Sequence, residues 1–193
     1  MNINAWVPTL IYRNVFLQFK DLNEYFIHKA QEIKALKSKP TSNWNCDTYN
    51  TQGLYDFLKD KKLKKFIQTC ESEVNVFSKY FGVSKSAKCV DAWINVSSPG
   101  DYQEYHIHPL RHFSLVYYVK SNENSGNIRF KFNNSNDMFP LPIDNYTDAS
   151  FDDCFYKPEE CSALIFRSNL QHMVEKNKSE EDRISVAMNF VCM

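Results

Sequence analysis

Two histidines two positions apart are the residues whose types and spacing point most directly to chemistry. His106 and His108 follow the turn signal Ser98-Pro-Gly-Asp101 and precede the strand-like run 113–119. Side chains alternate between the faces of a β-strand, so both imidazoles are predicted to project from one face. Imidazole is the commonest protein ligand for metals. The pair therefore predicts part of a metal site that a more distant residue completes.

The completing residues are predicted to lie downstream. His172 follows the apolar run Leu164-Ile-Phe166, and Arg183 and Ser185 open the last apolar run of the chain. Non-haem iron that activates oxygen takes three protein ligands on one face of an octahedron, which leaves adjacent positions open. An arginine on a neighbouring strand can pair bidentately with a carboxylate held at such a metal. This set is typical of oxygen chemistry at iron.

The third ligand has an alternative. On an unbroken strand Glu104 shares the face of His106 and His108, and could supply a carboxylate instead of His108. Asp101 is the other acidic candidate. Three neutral imidazoles leave the full 2+ charge on the metal, whereas a carboxylate cancels one unit. The set His106, His108 and His172 is preferred over one that contains Glu104 or Asp101.

Two further histidines are interpreted as structural. His28 falls on a predicted helix, and a lone histidine there is more often a hydrogen-bonded or solvated residue than a ligand. His112 is nearer to the predicted site, where a role towards substrate is the alternative.

The elements that would position these residues fall into two parts. Residues 5–19 are predicted to contain an edge strand, and apolar periodicity predicts helices over 22–37 and 55–81, the second ending at Gly82. Short strands separated by turns follow, over 88–96, 102–108, 113–120, 127–132, 150–156, 163–167 and 183–191. Residues 133–150 are predicted to form a long functional loop.

This order predicts a mainly β (α+β) fold in one domain over 1–193. Residues 1–87 would form a strand and a helical elaboration, and residues 88–193 a sandwich or jelly-roll core with the helices packed on one sheet.

Composition excludes several classes of function. Lys+Arg and Asp+Glu are balanced at 23 each among 193 residues, so no net field favours nucleic acid or a membrane. The six cysteines form no Cys-x-x-Cys pair and no signal peptide precedes them, which predicts reduced thiols and a cytoplasmic protein, in the host cytoplasm if viral.

Beyond these patterns, about residues 90–190 resemble the Fe(II)/2-oxoglutarate-dependent oxygenases. The similarity is strongest to those of bacteria and bacteriophages and more distant to the prolyl hydroxylases. The segments that carry it are Ala92-Trp-Ile-Asn95, Pro99-Gly100, Tyr105-His-Ile-His-Pro109, Ser114-Leu-Val-Tyr-Tyr-Val119, Ser125-Gly126-Asn-Ile-Arg-Phe130, Leu164-Ile-Phe-Arg-Ser168, His172-Met-Val174 and Arg183-Ile-Ser-Val-Ala-Met-Asn189.

The resemblance implies a double-stranded β-helix with Fe(II) and 2-oxoglutarate as cofactors. His106 and His172 would be iron ligands, and His108 stands where the family usually has Asp or Glu. The residues implied to contact 2-oxoglutarate are Arg183, Ser185, Tyr118 and Asn95. With O₂, such an enzyme would hydroxylate a C–H bond of a peptide or small molecule, releasing succinate and CO₂. Prolyl-type peptide hydroxylation is the first hypothesis for the substrate.

Two other classes compete with this interpretation. One is a three-histidine metalloenzyme without 2-oxoglutarate, either a cupin-like dioxygenase or a zinc hydrolase. The other is a non-catalytic jelly-roll binding module. The Arg183-x-Ser185 pattern argues against both versions of the three-histidine metalloenzyme, because neither needs an anion-binding arginine beside the metal.

Overall fold

The computed structural model describes residues 9–36, 48–132, 142–147 and 150–193. In this part of the chain two α-helices accompany ten strands. The helices are α1 (Lys20–Leu36) and α2 (Lys64–Ser78). The strands are β1 (Ile11–Val15), β2 (Tyr49–Asn50), β3 (Ala87–Ser97), β4 (Gln103–His106), β5 (Phe113–Lys120), β6 (Ile128–Lys131), β7 (Asp153–Tyr156), β8 (Ser162–Arg167), β9 (Gln171–Val174) and β10 (Arg183–Cys192).

The strands form two antiparallel sheets. The larger has the order β1-β8-β5-β10-β3-β2 and the smaller the order β4-β9-β6-β7. From β3 to β10 the chain crosses between the sheets at every step except that from β6 to β7, which lie together in the smaller sheet. This alternation winds the chain between two layers, which is the double-stranded β-helix, or jelly roll. The predicted mainly β fold is confirmed.

The larger sheet has one apolar face, and its opposite face combines polar residues of β3 and β10 with apolar residues of β5 and β8. On β10 the side chains of Ile184, Val186, Met188 and Phe190 belong to the core cluster that includes residues of both helices. Phe66 of α2, fully buried, packs edge-on against Tyr117 of β5 at 5.1 Å between ring centroids. The helices therefore cover this face, as predicted. The alternate residues of β10 face the space between the sheets.

A second, smaller core cluster closes part of that space. Its buried members are Tyr118, Ile128, Phe130, Leu164 and Phe166. Phe130 of β6 and Phe166 of β8 meet edge-on at 4.8 Å between ring centroids, which joins the two sheets. The polar residues of β10 and β3 are left to line an open cavity.

Several predicted boundaries were wrong. The helix predicted over 55–81 begins only at Lys64, after 3₁₀ turns at Phe57–Lys59 and Lys61–Leu63. Asp60 between these turns has an extended backbone (φ −71°, ψ 113°), and its side chain accepts the N–H of Lys62, so it starts a new turn. Gly82 has φ +70° after the last turn, as predicted for a helix end.

The strand signals were also incomplete. Within 5–19 the described strand is limited to Ile11–Val15, and β2 and β9 were not predicted. Most of the predicted loop over 133–150 lies outside the described residues, as do residues 37–47. No described helix is long and apolar enough to cross a membrane. The division at residue 87 stays a prediction.

Candidate active site

Three histidines converge between the sheets. His106 ends β4 and stands opposite His172 of β9 in cross-strand register, while His108 lies two residues beyond the end of β4. Ring centroids are 4.2 Å apart for His106 and His172, and His108 is 5.2 Å from each of them. One ligand atom from each ring lies within 4.8 Å of the others. This spacing fits one metal ion bound by all three.

Hydrogen bonds orient all three rings in the same way. Nδ1 of His106 is 2.7 Å from the carbonyl oxygen of Glu104, and Nδ1 of His172 is 2.9 Å from that of Leu170. Nδ1 of His108 is 2.7 Å from Oδ1 of Asn189. Because a carbonyl oxygen only accepts, each Nδ1 must carry the proton, and each Nε2 is therefore unprotonated and carries the lone pair that can bind a metal. The donor set thus suits a divalent transition metal.

Burial keeps these imidazoles neutral. It lowers the pKa of His106 from 6.5 to about 4, and it also lowers the pKa of His108 and, more strongly, of His172. The charged form of each neighbouring ring would further disfavour protonation of His106 and His172. Neutral imidazole is the form that binds metal, so protons compete weakly near neutral pH.

The acidic candidates occupy other positions. Among the described residues, the group able to hold a metal consists of the three histidines. The pairing of β4 with β9 shifts register between Gln103 and His106, so the unbroken strand that would align Glu104 with His106 is not present. The carboxylate of Asp101 accepts the N–H of Ser98 at 2.8 Å and closes a turn. This geometry favours His108 as the third ligand.

Arg183 is a buried cation in the same cavity. Its side chain is at the start of β10, and the residue is only 3% exposed. The guanidinium donates to the carbonyl oxygens of Ser125 and Gly126 and, at 2.9 Å, to Oγ of Ser97. None of the described carboxylates forms an ion pair with it. Burial lowers its pKa, yet arginine keeps its charge, so this site calls for an anionic ligand.

The other three predicted contacts form one row across the sheet. Ser185 of β10 is paired with Asn95 of β3 on one side and with Tyr118 of β5 on the other, so all three side chains share a face. Burial raises the pKa of Tyr118, which keeps its hydroxyl protonated and able to donate. The Asn95 side-chain oxygen accepts from Nε1 of Trp93 at 3.1 Å.

One cavity of about 360 Å³ contains all these side chains. It brings together the seven predicted site residues, Asn95, His106, His108, Tyr118, His172, Arg183 and Ser185. At its rim Arg111 pairs with Asp91 at 2.6 Å, and the Trp93 ring stacks on His108 with centroids 5.8 Å apart. A neighbouring cavity of about 350 Å³ shares Asp91 and Trp93 with it.

Some lining residues were missed by the sequence prediction. Trp93, Ser97 and Asn189 continue the inward faces of β3 and β10 at spacings of two. The alternation that runs through Arg183 and Ser185 could have identified Asn189. His112 accepts the Cys192 N–H through Nδ1 at 2.9 Å, and His28 is exposed on α1, which agrees with their structural interpretation.

Comparison with protein families adds the decisive observation. The model of the family described as "Putative 2OG-Fe(II) oxygenase" matches residues 91–189, a segment that runs from β3 to β10 and contains the three histidines and Arg183. The chain belongs to this family. It is therefore an enzyme of the 2-oxoglutarate-dependent oxygenase type, with Fe(II) and 2-oxoglutarate as its cofactors. A search of curated proteins gives no match.

Solved structures show how far the oxygenase fold extends. The chain is similar to a prolyl-4-hydroxylase from Pseudomonas putida, with TM-score 0.69 and 11% identity over 96% of this chain and 94% of that one. It is also similar to a viral collagen prolyl hydroxylase from Paramecium Bursaria Chlorella virus-1 in complex with 2-oxoglutarate (TM-score 0.63, 13% identity, 95% and 96% covered). A third similar structure is a prolyl hydroxylase from Trichoplax adhaerens in complex with a peptide fragment of hypoxia inducible factor (TM-score 0.64, 10% identity, 94% and 83% covered).

These similarities cover nearly the whole chain. They include the α-helices as well as the double-stranded β-helix. The predicted family, fold class and cofactors are thus confirmed. A three-histidine enzyme without 2-oxoglutarate and a non-catalytic binding module are not favoured.

Proposed function

We propose that this oxygenase binds Fe(II) through His106, His108 and His172 and anchors 2-oxoglutarate through Arg183. The observation that carries the proposal is the charge of Arg183, buried in the same cavity as three neutral imidazoles and without an ion-pair partner among the described residues. A buried unpaired charge costs several kcal/mol, on the order of 3–5 when a partner is removed. A dicarboxylate that reaches from the metal to Arg183 compensates it.

Each lining residue then has a defined task. The three Nε2 atoms would hold iron, and the Arg183 guanidinium would pair with the far carboxylate of 2-oxoglutarate through its N–H donors. Tyr118, which keeps its proton, Ser185 and the amide of Asn95 offer further hydrogen bonds from the row beside Arg183. Phe166, which lines the same cavity, limits the water that can reach the centre.

Iron, 2-oxoglutarate and O₂ supply the oxidising chemistry when bound, converting a substrate C–H bond into C–OH while 2-oxoglutarate becomes succinate and CO₂. The chain's own residues contribute orientation. They would hold the metal on the three imidazoles and the 2-oxoglutarate carboxylate on Arg183.

The substrate is proposed to be a peptide or a small molecule that enters past Trp93. The second cavity adjoins the first at Asp91 and Trp93, which gives a longer substrate room beside the metal. The similar prolyl hydroxylase from Trichoplax adhaerens was solved in complex with a peptide fragment, which supports a peptide as one candidate substrate. Prolyl-type hydroxylation is the first activity to assay.

We also propose a cytoplasmic location, in the host cytoplasm if the protein is viral. The five cysteines among the described residues are all free thiols, which suits a reducing compartment.

Succinate formation tests the proposal. Purified protein is incubated with Fe(II), 2-oxoglutarate, ascorbate and O₂, and succinate is quantified with and without candidate peptides. We expect slow uncoupled succinate formation by the wild type, accelerated by a substrate and abolished in His172→Ala. A metal-loaded wild type that neither binds nor turns over 2-oxoglutarate would refute the proposed function.

A further inference from the structure

His108 is held differently from the other two histidines. His106 and His172 lie on strands, and each directs Nδ1 to the backbone carbonyl two residues earlier, on Glu104 and Leu170. His108 lies beyond the end of β4, where strand geometry no longer fixes its direction. Its Nδ1 instead meets the side-chain oxygen of Asn189, 81 positions away in the chain.

A closed ring of hydrogen bonds surrounds His108. The backbone N–H of His108 donates to the backbone carbonyl oxygen of Ser168 at 2.9 Å. The hydroxyl of Ser168 is 2.9 Å from that of Ser114, which donates to Oδ1 of Asn189 at 2.8 Å. The same oxygen is 2.7 Å from Nδ1 of His108 and closes the ring. His108, just after β4, is thereby hydrogen-bonded to residues of or next to the larger sheet through two of its atoms, the backbone nitrogen and Nδ1.

The ring is rigid because it is buried in the centre of the larger sheet. Ser114 of β5 is directly paired with Asn189 of β10, and Ser168 directly follows β8. Ser114, Ser168 and Asn189 are 2%, 0% and 4% exposed. An apolar side chain at position 189 would leave the Ser114 hydroxyl and Nδ1 of His108 without this acceptor, at a cost of about 1–3 kcal/mol for each group left unsatisfied.

The hydrogen-bond directions specify one tautomer. Asn189 Oδ1 accepts from Ser114, so the amide is oriented with its oxygen towards His108, and Nδ1 of His108 must donate. The reverse tautomer would place a proton on Nε2 and remove the lone pair that a metal needs. On its other side, the His108 ring stacks against Trp93 with an interplanar angle of 19°. The ring is thus fixed in both tautomer and orientation.

We propose that Asn189 is the positioning residue that makes His108 a metal ligand. This inference rests on the proposed function, because it concerns the third ligand of that metal centre. Asn189 does not touch the metal. It acts through Nδ1 of His108, holding the Nε2 lone pair towards the other two histidines, and the Ser168–Ser114 pair keeps the Asn189 oxygen turned inward.

The tautomer can be measured without any metal. In ¹⁵N-labelled, metal-free protein, long-range NMR correlations of the imidazole nitrogens distinguish Nδ1–H from Nε2–H rings. We expect His108 to be the Nδ1–H tautomer in the wild type and in Asn189→Asp, whose carboxylate still accepts. Asn189→Leu should show a mixture or the Nε2–H tautomer. An unchanged Nδ1–H tautomer in Asn189→Leu would overturn the inference.

Metal affinity provides the second readout. Titration with Mn(II), followed by calorimetry, should show binding about 10–100-fold weaker for Asn189→Leu than for the wild type. Asn189→Asp should bind within a few-fold of the wild type or more tightly. The matched control is Asn23→Leu, another buried asparagine, which bonds Val119 and Tyr117 on the helix-covered side of the sheet. That variant should lose stability and keep wild-type Mn(II) affinity.

The outcomes separate this inference from the proposed function. Wild-type Mn(II) affinity in folded Asn189→Leu would overturn the role of Asn189 and leave the metal centre intact. A wild type that binds no Mn(II) would overturn both. If Asn189→Leu does not fold, Ser114→Ala removes the donor that orients the amide, and a several-fold loss of Mn(II) affinity is then expected. Wild-type affinity in Ser114→Ala would count against the ring.

Discussion

At the scale of single residues, Arg183 is a buried positive charge in the cavity that no described carboxylate compensates. The residue is 3% exposed, and its described partners are two backbone carbonyls and one serine hydroxyl. Neutral acceptors satisfy the geometry of a guanidinium without cancelling its charge. The positive charge therefore still needs an anion, and the proposed anion is the far carboxylate of 2-oxoglutarate.

The first prediction concerns this charge. Arg183→Gln removes the buried cation, and we expect the KM for 2-oxoglutarate to rise on the order of 10²–10⁴-fold, from the loss of about 3–5 kcal/mol of paired-charge interaction. Arg129→Gln is the control, because that arginine pairs with Asp153 and Glu175 outside the cavity lining and should leave KM unchanged. Equal KM values for the wild type and Arg183→Gln would show that the anion lies elsewhere.

The second prediction concerns the metal. His172→Ala removes the most buried ligand, and Mn(II) binding measured by calorimetry should be lost, while circular dichroism stays that of the folded protein. His172 lies between the sheets near the open cavity, so its truncation does not remove one of the large core side chains. His28→Ala, at an exposed helix position, should bind Mn(II) as the wild type does. Retained Mn(II) affinity in His172→Ala would contradict the ligand set.

The third prediction addresses the acidic alternative. Glu104→Gln should keep Mn(II) affinity within a few-fold, because the backbone carbonyl of Glu104, which supports His106, survives the substitution. His108→Ala should lose Mn(II) binding by at least ten-fold. Lost Mn(II) binding in Glu104→Gln together with retained binding in His108→Ala would show that Glu104 is the third ligand.

At this scale the sequence predicted a great deal. Residue type, spacing and the family resemblance selected His106, His108, His172 and Arg183, and the structure places them in one cavity, while their roles stay a prediction. Asn189 and Trp93 escaped prediction because asparagine and tryptophan on strands have many uses. Their roles arise from a cross-strand neighbour, as when Asn189 meets His108 at 2.7 Å.

At the scale of elements, the turn before β6 supports Arg183. Gly126 has φ +82°, and its carbonyl, like that of Ser125, accepts from the guanidinium. A Cβ at this glycine would lie 2.3 Å from the carbonyl oxygen of Glu175, a backbone atom that cannot yield without moving the chain after β9. The turn and the arginine are therefore mechanically linked.

A glycine pair tests this linkage. Gly126→Ala should destabilise the fold by about 2–4 kcal/mol in urea unfolding, from left-handed backbone strain plus the clash, and should also raise the KM for 2-oxoglutarate. Gly82→Ala has a similar φ of +70° and nothing within 4 Å of the added carbon. It should cost about 1 kcal/mol and leave KM unaltered. Equal effects of both substitutions on KM would disprove the linkage.

Element prediction succeeded where the apolar pattern was long. The strand predicted at 113–120 matches β5. It could be predicted because residues on both faces of this strand are buried, which produces a long apolar run. Failure came where local polar geometry decided the outcome. Asp60 interrupts an otherwise helical apolar pattern, and the four-residue β9 depends on pairing with both β4 and β6, which its own short sequence cannot reveal.

At the scale of the whole molecule, burial of the histidines links the site to stability. The pKa of His106 falls from 6.5 to about 4 in the folded chain, and His108 and His172 shift in the same direction. Between these pH values the unfolded chain takes up protons that the folded chain excludes. Stability is therefore lost as pH falls below about 6.5.

The fifth prediction follows from this sign. Urea unfolding of the metal-free protein should show stability decreasing from pH 6.5 to 5.5, with each buried histidine adding a slope of up to about 1.4 kcal/mol per pH unit. His172→Gln should reduce the slope and His28→Gln should not. A stability that stays constant or increases over this interval would show that the three rings are not buried as neutral imidazoles.

The proposed active site is a single arrangement: a metal on three imidazoles with 2-oxoglutarate reaching Arg183. A crystal structure of the protein with Mn(II) and 2-oxoglutarate, grown without O₂, tests it most directly. We expect Nε2 of His106, His108 and His172 in the metal's coordination sphere and the far carboxylate of 2-oxoglutarate on the Arg183 guanidinium. A metal bound by Glu104 in place of His108, or 2-oxoglutarate without contact to Arg183, would contradict the account.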